Sequence, residues 1–287
     1  MKSHFYFYLL VFFVMYVVQS QDTNIQIYTP SKLMGIGQWD VKWFNNLYTE
    51  LKKIDEKKEI LKYPRSNFFT SSIDVFTGIG TASRWNIGVH LEYRSNTTGG
   101  LDLLEPFTFT NRPEQRFGLT RFAPSLKLAP LQRISNFSIQ TGLSIPLFNE
   151  ETLDDVYLDQ KGYIIQNKLY YDYSSSNGIF QIFSELGLDF NFGKNTASYA
   201  NDSLRISPGV FFSYFPNQNL TLLALVQHAA LIPITNDFSQ NYTALGGGTK
   251  YQISRLLNLE LLYTNFIRGN STGLGQTFNL GLRAVIN

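Results

Sequence analysis

The 287-residue chain contains no cysteine. That absence excludes a disulfide-stapled scaffold, a thiolate-ligated zinc site and a thiol nucleophile together. Charge is scarce as well: Asp, Glu, Lys and Arg make up 16% of the residues, against roughly 25% in ordinary soluble domains. The 24 basic and 22 acidic residues nearly cancel, so neither nucleic acid nor a store of cations is expected as a partner. Three histidines leave little for histidine chemistry. Beyond residue 20 no apolar run approaches the ~20 residues of a spanning helix. What is abundant is glycine (21), phenylalanine (24) and tyrosine (17), a composition that favours many strands and turns.

The first twenty residues read as an address. Lys2 precedes an apolar run from Phe5 to Val18, and Val18-Gln19-Ser20 puts apolar and small residues before Gln21, the pattern of a cleaved secretory signal over 1–20. The run is short for an anchor, and no cysteine follows it to carry a lipid. Residues 21–36 are then expected as a periplasmic extension and 37–287 as the working domain.

Twelve segments of the remaining chain alternate apolar with polar residues: 38–52, 67–79, 84–95, 118–128, 134–147, 163–173, 178–192, 204–215, 219–232, 243–254, 257–268 and 274–287. Trp85, Ile87, Val89, Leu91 and Tyr93 share one face of the third. Arg84, Asn86, Gly88, His90, Glu92 and Arg94 share the other. These runs are longer than the roughly 5–6 residues of soluble strands and match a tilted strand crossing a bilayer. Short links alternate with long ones at 53–66, 96–117, 148–162, 193–203, 233–242 and 269–273, as when one rim of a barrel has turns and the other has loops. Charges within a segment keep to one parity, as in Asp40/Lys42/Glu50, Arg121/Lys127, Lys168/Asp172, Glu185/Asp189 and Glu260/Arg268. Lys or Arg facing lipid at mid-depth costs about 2–4 kcal/mol, whereas a watery lumen accepts it. Trp39, Trp43, Tyr163, Tyr171, Tyr173, Tyr214 and Tyr263 lie on the opposite faces and suit interfacial belts. The fold predicted is all-β: a closed antiparallel transmembrane β-barrel of about twelve strands in the cell outer membrane.

Some positions resist this scheme. Segment 219–232 is apolar on both parities, so its register is open. Pro124, Pro146 and Pro208 each remove a ladder donor. Gly246-Gly247-Gly248 lacks the Lys-Ser/Thr of a phosphate loop and reads as a bend in the wall. Residues 52–62 read as a short solvated turn of helix. The acidic stretch 150–159 reads as a hydrated loop bridged to lipopolysaccharide by divalent ions.

In the last segment Asn279, Gly281, Ala284 and Ile286 have a spacing that resembles the C-terminal insertion signal of outer-membrane barrels, which implies the barrel assembly machinery as a partner. Aromatics are missing at both apolar positions, and the chain ends one residue later. The mature chain, including Tyr28-Thr-Pro-Ser-Lys32, Trp43-Phe-Asn-Asn-Leu-Tyr48 and Gly273-Leu-Gly-Gln-Thr-Phe-Asn-Leu-Gly-Leu-Arg283, is similar to the transporter-like outer-membrane barrels of flavobacterial-type Gram-negative bacteria. That resemblance implies a location and a fold and offers no catalytic residue.

Parity places Arg84, His90, Glu92, Arg94, Arg121, Glu185, Asp189, Lys250, Glu260 and Arg283 among the residues facing the lumen. Lys42, Lys127, Lys168, Arg205, Arg268, Asp40, Glu50, Asp74 and Asp172 join them. The two signs nearly balance, so a selectivity ring of one sign is not expected. The reading is a passive porin or transporter-like channel for small polar solutes, with outer-membrane lipid and lipopolysaccharide around it and no metal or cofactor. The alternative is a structural or partner-binding barrel with a closed lumen. A lipid or lipid A hydrolase is a weaker third, because Gln227-His228-Ala229-Ala230 has no serine two residues beyond its histidine.

Overall fold

The computed structural model describes residues 29–80, 84–110, 112–131, 133–193, 200–235 and 237–286. The expected signal lies outside them. Four strands open the chain: β1 (Trp39–Ile54), β2 (Ile60–Ile79), β3 (Trp85–Thr97) and β4 (Gln115–Leu128). Then come β5 (Phe137–Pro146), a small hairpin of β6 (Thr152–Leu153) and β7 (Val156–Tyr157), β8 (Tyr163–Ser174) and β9 (Phe180–Phe192). The chain continues with β10 (Ser203–Tyr214), β11 (Leu220–Pro233), β12 (Gln240–Gln252) and β13 (Leu257–Asn270). It finishes with β14 (Thr272–Gly273) and β15 (Gln276–Ile286). Apart from β6, β7 and β14, these are the twelve staves predicted from alternation.

Each stave pairs antiparallel with its neighbours in chain order, and β1 also pairs with β15, from Trp39↔Ile286 to Thr49↔Gln276. The ladder therefore returns on itself and leaves no open edge, the condition for placing a sheet in hydrocarbon. Trp39 and Ile286 share the near rim. The described residues of the connections after β3, β5 and β9 (98–110, 112–114, 147–162, 193 and 200–202) crown the far rim.

The alternation is inverted relative to a soluble sheet. Outside stand Trp39, Trp43, Ile87, Ile182, Val210 and Leu261, all exposed. Inside, buried polar residues outnumber buried apolar ones among the described residues. Outward Trp85, Tyr171 and Tyr173 lie toward the near rim, with Tyr163 and Phe192 toward the far one. Two aromatic belts thus bracket the apolar band.

Bulges move side chains through the wall. The β3–β4 register shifts between Glu92 and Tyr93, so that Thr120 and Arg121 both face inward while Leu119 and Phe122 face out. A second shift lies between Thr243 and Ala244. It puts Ile267 and Arg268 together on the outer face, which overturns the lumenal reading of Arg268. The physical reason is local: an extra residue breaks the period of two.

The prolines sit where the ladder has gaps. The β4–β5 pairing skips Pro124, the β10–β11 pairing skips Pro208, and Pro146 ends β5. Gly246 and Gly248 face the lumen, where a Cβ would collide with the Tyr263 and Leu261 carbonyls. The glycine run is required by close approach. Residues 52–62 are strand and turn rather than helix, because the β1–β2 ladder continues to Ile54↔Ile60. Asp55 and Glu59 close the turn, Asp55 N donating to the Glu59 carbonyl at 3.1 Å.

Candidate functional site

The interior holds a chamber of about 540 Å³. Alternate residues of the staves point into it, and its charged lining is Asp40, Lys42, Asp74, His90, Lys127, Lys168, Glu185, Lys250, Glu260 and Arg283. Three of the four carboxylates are paired. Arg283 donates to Asp40 through Nε at 2.8 Å and Nη2 at 2.7 Å. Lys250 Nζ lies 2.9 Å from Glu260 Oε2, its partner across the β12–β13 ladder. His90 Nδ1 lies 2.7 Å from Asp74 Oδ1. Lys42 faces Asp74 across β1–β2 but rests over the Phe44 ring at 5.0 Å. Lys127 donates to the Pro30 carbonyl at 3.0 Å.

The far end of the lumen is filled by the chain itself. The β5–β8 connection folds inward, and Val156, Leu158, Asp159 and Gln160 are buried. Two guanidinium groups hold it. Arg121 Nε donates to Asp159 Oδ2 at 2.6 Å, and its Nη1 donates to the Gly162 carbonyl at 3.1 Å. Arg94 Nη1 lies 3.1 Å from Asp159 Oδ1, and its Nε donates to Glu92 at 2.7 Å. Asn96 Nδ2 donates to the Tyr157 and Leu158 carbonyls. Asp159 is the centre of this latch, since both oxygens of one carboxylate receive an arginine. The acidic stretch 150–159 therefore does not stay wholly in solvent: Asp159 turns inward because the wall supplies two cations, buried Arg121 and half-buried Arg94.

A second segment enters from the near end. Thr29 and Ser31 donate to Asp172 Oδ1. Met34 exchanges hydrogen bonds with the Asn86 amide, N to Oδ1 at 2.8 Å and Nδ2 to O at 2.9 Å, and is buried beside Val285. The described part of the expected extension is thus tucked into the barrel mouth.

No protein-family model and no curated protein matches the chain. Solved structures do match. An outer membrane channel from Pseudomonas putida F1 aligns over 90% of this chain and 99% of its own, with a TM-score of 0.73 at 9% identity. The β domain of the Bordetella autotransporter BrkA aligns over 85% and 98%, with a TM-score of 0.55 at 14% identity. This fold is the outer-membrane β-barrel.

Within this outer-membrane barrel the ten residues proposed for the lumen separate into layers. His90, Glu185, Lys250, Glu260 and Arg283 line the chamber. Glu92, Arg94 and Arg121 lie above it in the latch. Asp189 faces Arg205 across β9–β10. Arg84 is at the near rim, just before β3, where it donates to the Ala129 and Pro130 carbonyls and ties itself to the start of the β4–β5 connection. The insertion-signal residues Asn279, Gly281, Ala284 and Ile286 all lie in β15, the strand that closes the seam with β1.

His228 belongs to the outer wall, with its Nδ1 2.9 Å from Thr243 Oγ1. Thr243 pairs in turn with outward Arg268, which has no acidic partner among the described residues. Residues 98–110 of the β3–β4 connection also stay outside. Its single 3-10 turn, Glu105–Phe107, lies on the wall where Phe107 meets Phe69 at 4.7 Å and Ser95 donates to the Pro106 carbonyl at 2.7 Å. Sequence reasoning missed the apolar inward residues Phe183, Phe211, Leu223 and Leu225. Phe183 stands on the polar parity of its strand and is the one signal that marks them.

Proposed function

We propose that the chain is a passive outer-membrane channel for small solutes, with the near rim in the periplasm and the far rim outside. The observation that carries this reading is the 540 Å³ chamber inside a closed barrel, lined by charges of both signs. The inward β5–β8 segment makes the constriction. The finer likeness to transporter-like barrels of flavobacterial-type bacteria belongs to the same proposal, supported by the placement of Gly273–Arg283 at the seam. Recognition of β15 by the barrel assembly machinery belongs there too. So does contact of the outward Arg268 with lipopolysaccharide phosphate.

Planar-bilayer recording of the purified protein tests the channel. Discrete conductance steps are expected, enlarged in an Asp159→Ala variant whose loop is released from Arg94 and Arg121. A second reading, a non-conducting partner-binding barrel, is favoured by the occupation of both lumen ends. Silence in both the wild type and Asp159→Ala would establish that reading and end the channel proposal.

A further inference from the structure

The chamber wall is not uniform around its circumference. On β1 to β8 it presents mainly charged and polar groups, with Phe44 and Phe76 among them. On β9 to β13 a cross-strand row turns apolar residues inward: Phe183 pairs with Phe211, and Phe211 with Leu225. The row continues to Gly246, which packs closely against the Tyr263 carbonyl and Thr264. One step nearer the near rim, Leu223 leads through Gly248 to Leu262. Leu223 and Leu225 are 8% and 6% exposed although they face a cavity that also holds lysines, so this sector is greasy by construction and not by chance exposure.

The charges that remain after pairing are unequal. Arg283, Lys250 and His90 account for Asp40, Glu260 and Asp74. Among the described residues Lys42, Lys127 and Lys168 then have no salt bridge, and of the lining carboxylates Glu185 alone has none either. Lys42 faces Asp74 across the β1–β2 ladder, and Lys168 lines the same chamber from β8. A purely polar solute would meet no complement to the apolar sector, and a neutral apolar one would leave the surplus ammonium groups unmatched.

Building on the channel reading, we infer that the chamber takes amphipathic monoanions: molecules with one carboxylate directed to Lys42 and Lys168 and an apolar body laid against Phe211, Leu223 and Leu225. The acid supplies the charge that the lining lacks, and the body removes apolar wall from water. Each half alone realises only part of the interaction.

The test is equilibrium binding of 3-phenylpropionate to the full chain in lipid nanodiscs, corrected with empty nanodiscs, beside acetate and 3-phenylpropanol. Saturable binding about tenfold tighter than either fragment is expected. Leu225→Asn is expected to weaken 3-phenylpropionate several-fold and leave acetate unchanged, while Lys42→Gln with Lys168→Gln weakens both acids. Heat-modifiable gel migration confirms that each variant is a folded barrel. Equal affinity for 3-phenylpropionate and acetate, or no saturable binding, overturns the inference even where bilayer steps are recorded. Saturable binding without steps in any variant sinks the channel reading instead and leaves a ligand-holding chamber.

Discussion

Asp159 shows how much one side chain can hold. Its carboxylate takes Arg121 on one oxygen and Arg94 on the other, with Asp159 and Arg121 buried and Arg94 half-buried. Removing one member of such a group strands the others, at a cost of about 3–5 kcal/mol for a buried pair. Asp159→Asn should therefore free the β5–β8 segment while sparing the barrel. Limited proteolysis checks this: cutting within 150–160 should accelerate sharply, with the membrane-embedded remainder intact. Unchanged cutting would mean the carbonyl contacts of Arg121 suffice. The role of Asp159 was illegible in the sequence, where it stands among Glu150, Glu151, Asp154 and Asp155 and looks like one more hydrated acid. Which of five carboxylates turns inward depends on where Arg94 and Arg121 sit, and those lie on other strands.

At the scale of the strand, the period of two was legible almost everywhere, because lipid on one side and water on the other penalise any slip. All twelve staves were visible from it, and so was the lumenal placement of His90, Glu185, Lys250 and Glu260. It failed at Arg268, where a bulge inserts one residue, and it gave no answer for β11. There Leu222 and Val226 face out and Leu223 and Leu225 face in, and alternation carries no signal when both sides are apolar. The assignment predicts an asymmetric response. Val226→Arg, on the lipid side, should destabilise the barrel by about 2–4 kcal/mol, whereas Gln227→Arg, facing the lumen, should cost far less. Urea unfolding from lipid vesicles measures both, and equal losses would reverse the strand. Gly248→Leu should lower the yield of folded barrel, since the Leu261 carbonyl occupies the position of its Cβ.

For the whole molecule, two segments from opposite ends of the lumen bound one chamber. The near one is tied by Thr29, Ser31 and Met34, and Lys127 reaches it through the Pro30 carbonyl. Deleting residues 21–35 should raise single-channel conductance and leave Lys127 to solvent. If conductance is unaltered, the narrowest point lies at the β5–β8 segment alone. Nothing in the sequence from Thr29 to Met34 marks these residues for the interior until Asp172 and Asn86 are seen waiting there.

The extra residue in β4 carries a lesson about inheritance. Upstream of Thr120 and downstream of it, opposite numbering parities meet the bilayer; losing Thr120 itself would merely restore plain alternation, but a one-codon deletion elsewhere in β4 would exchange the two environments for every residue between it and the bulge. Loss of Ser125 would thrust Arg121 into oil, with no substitution made at all. In such a wall, chain length between fixed rims is as strictly constrained as residue type, and a frame-preserving indel is a harsher lesion than many missense changes.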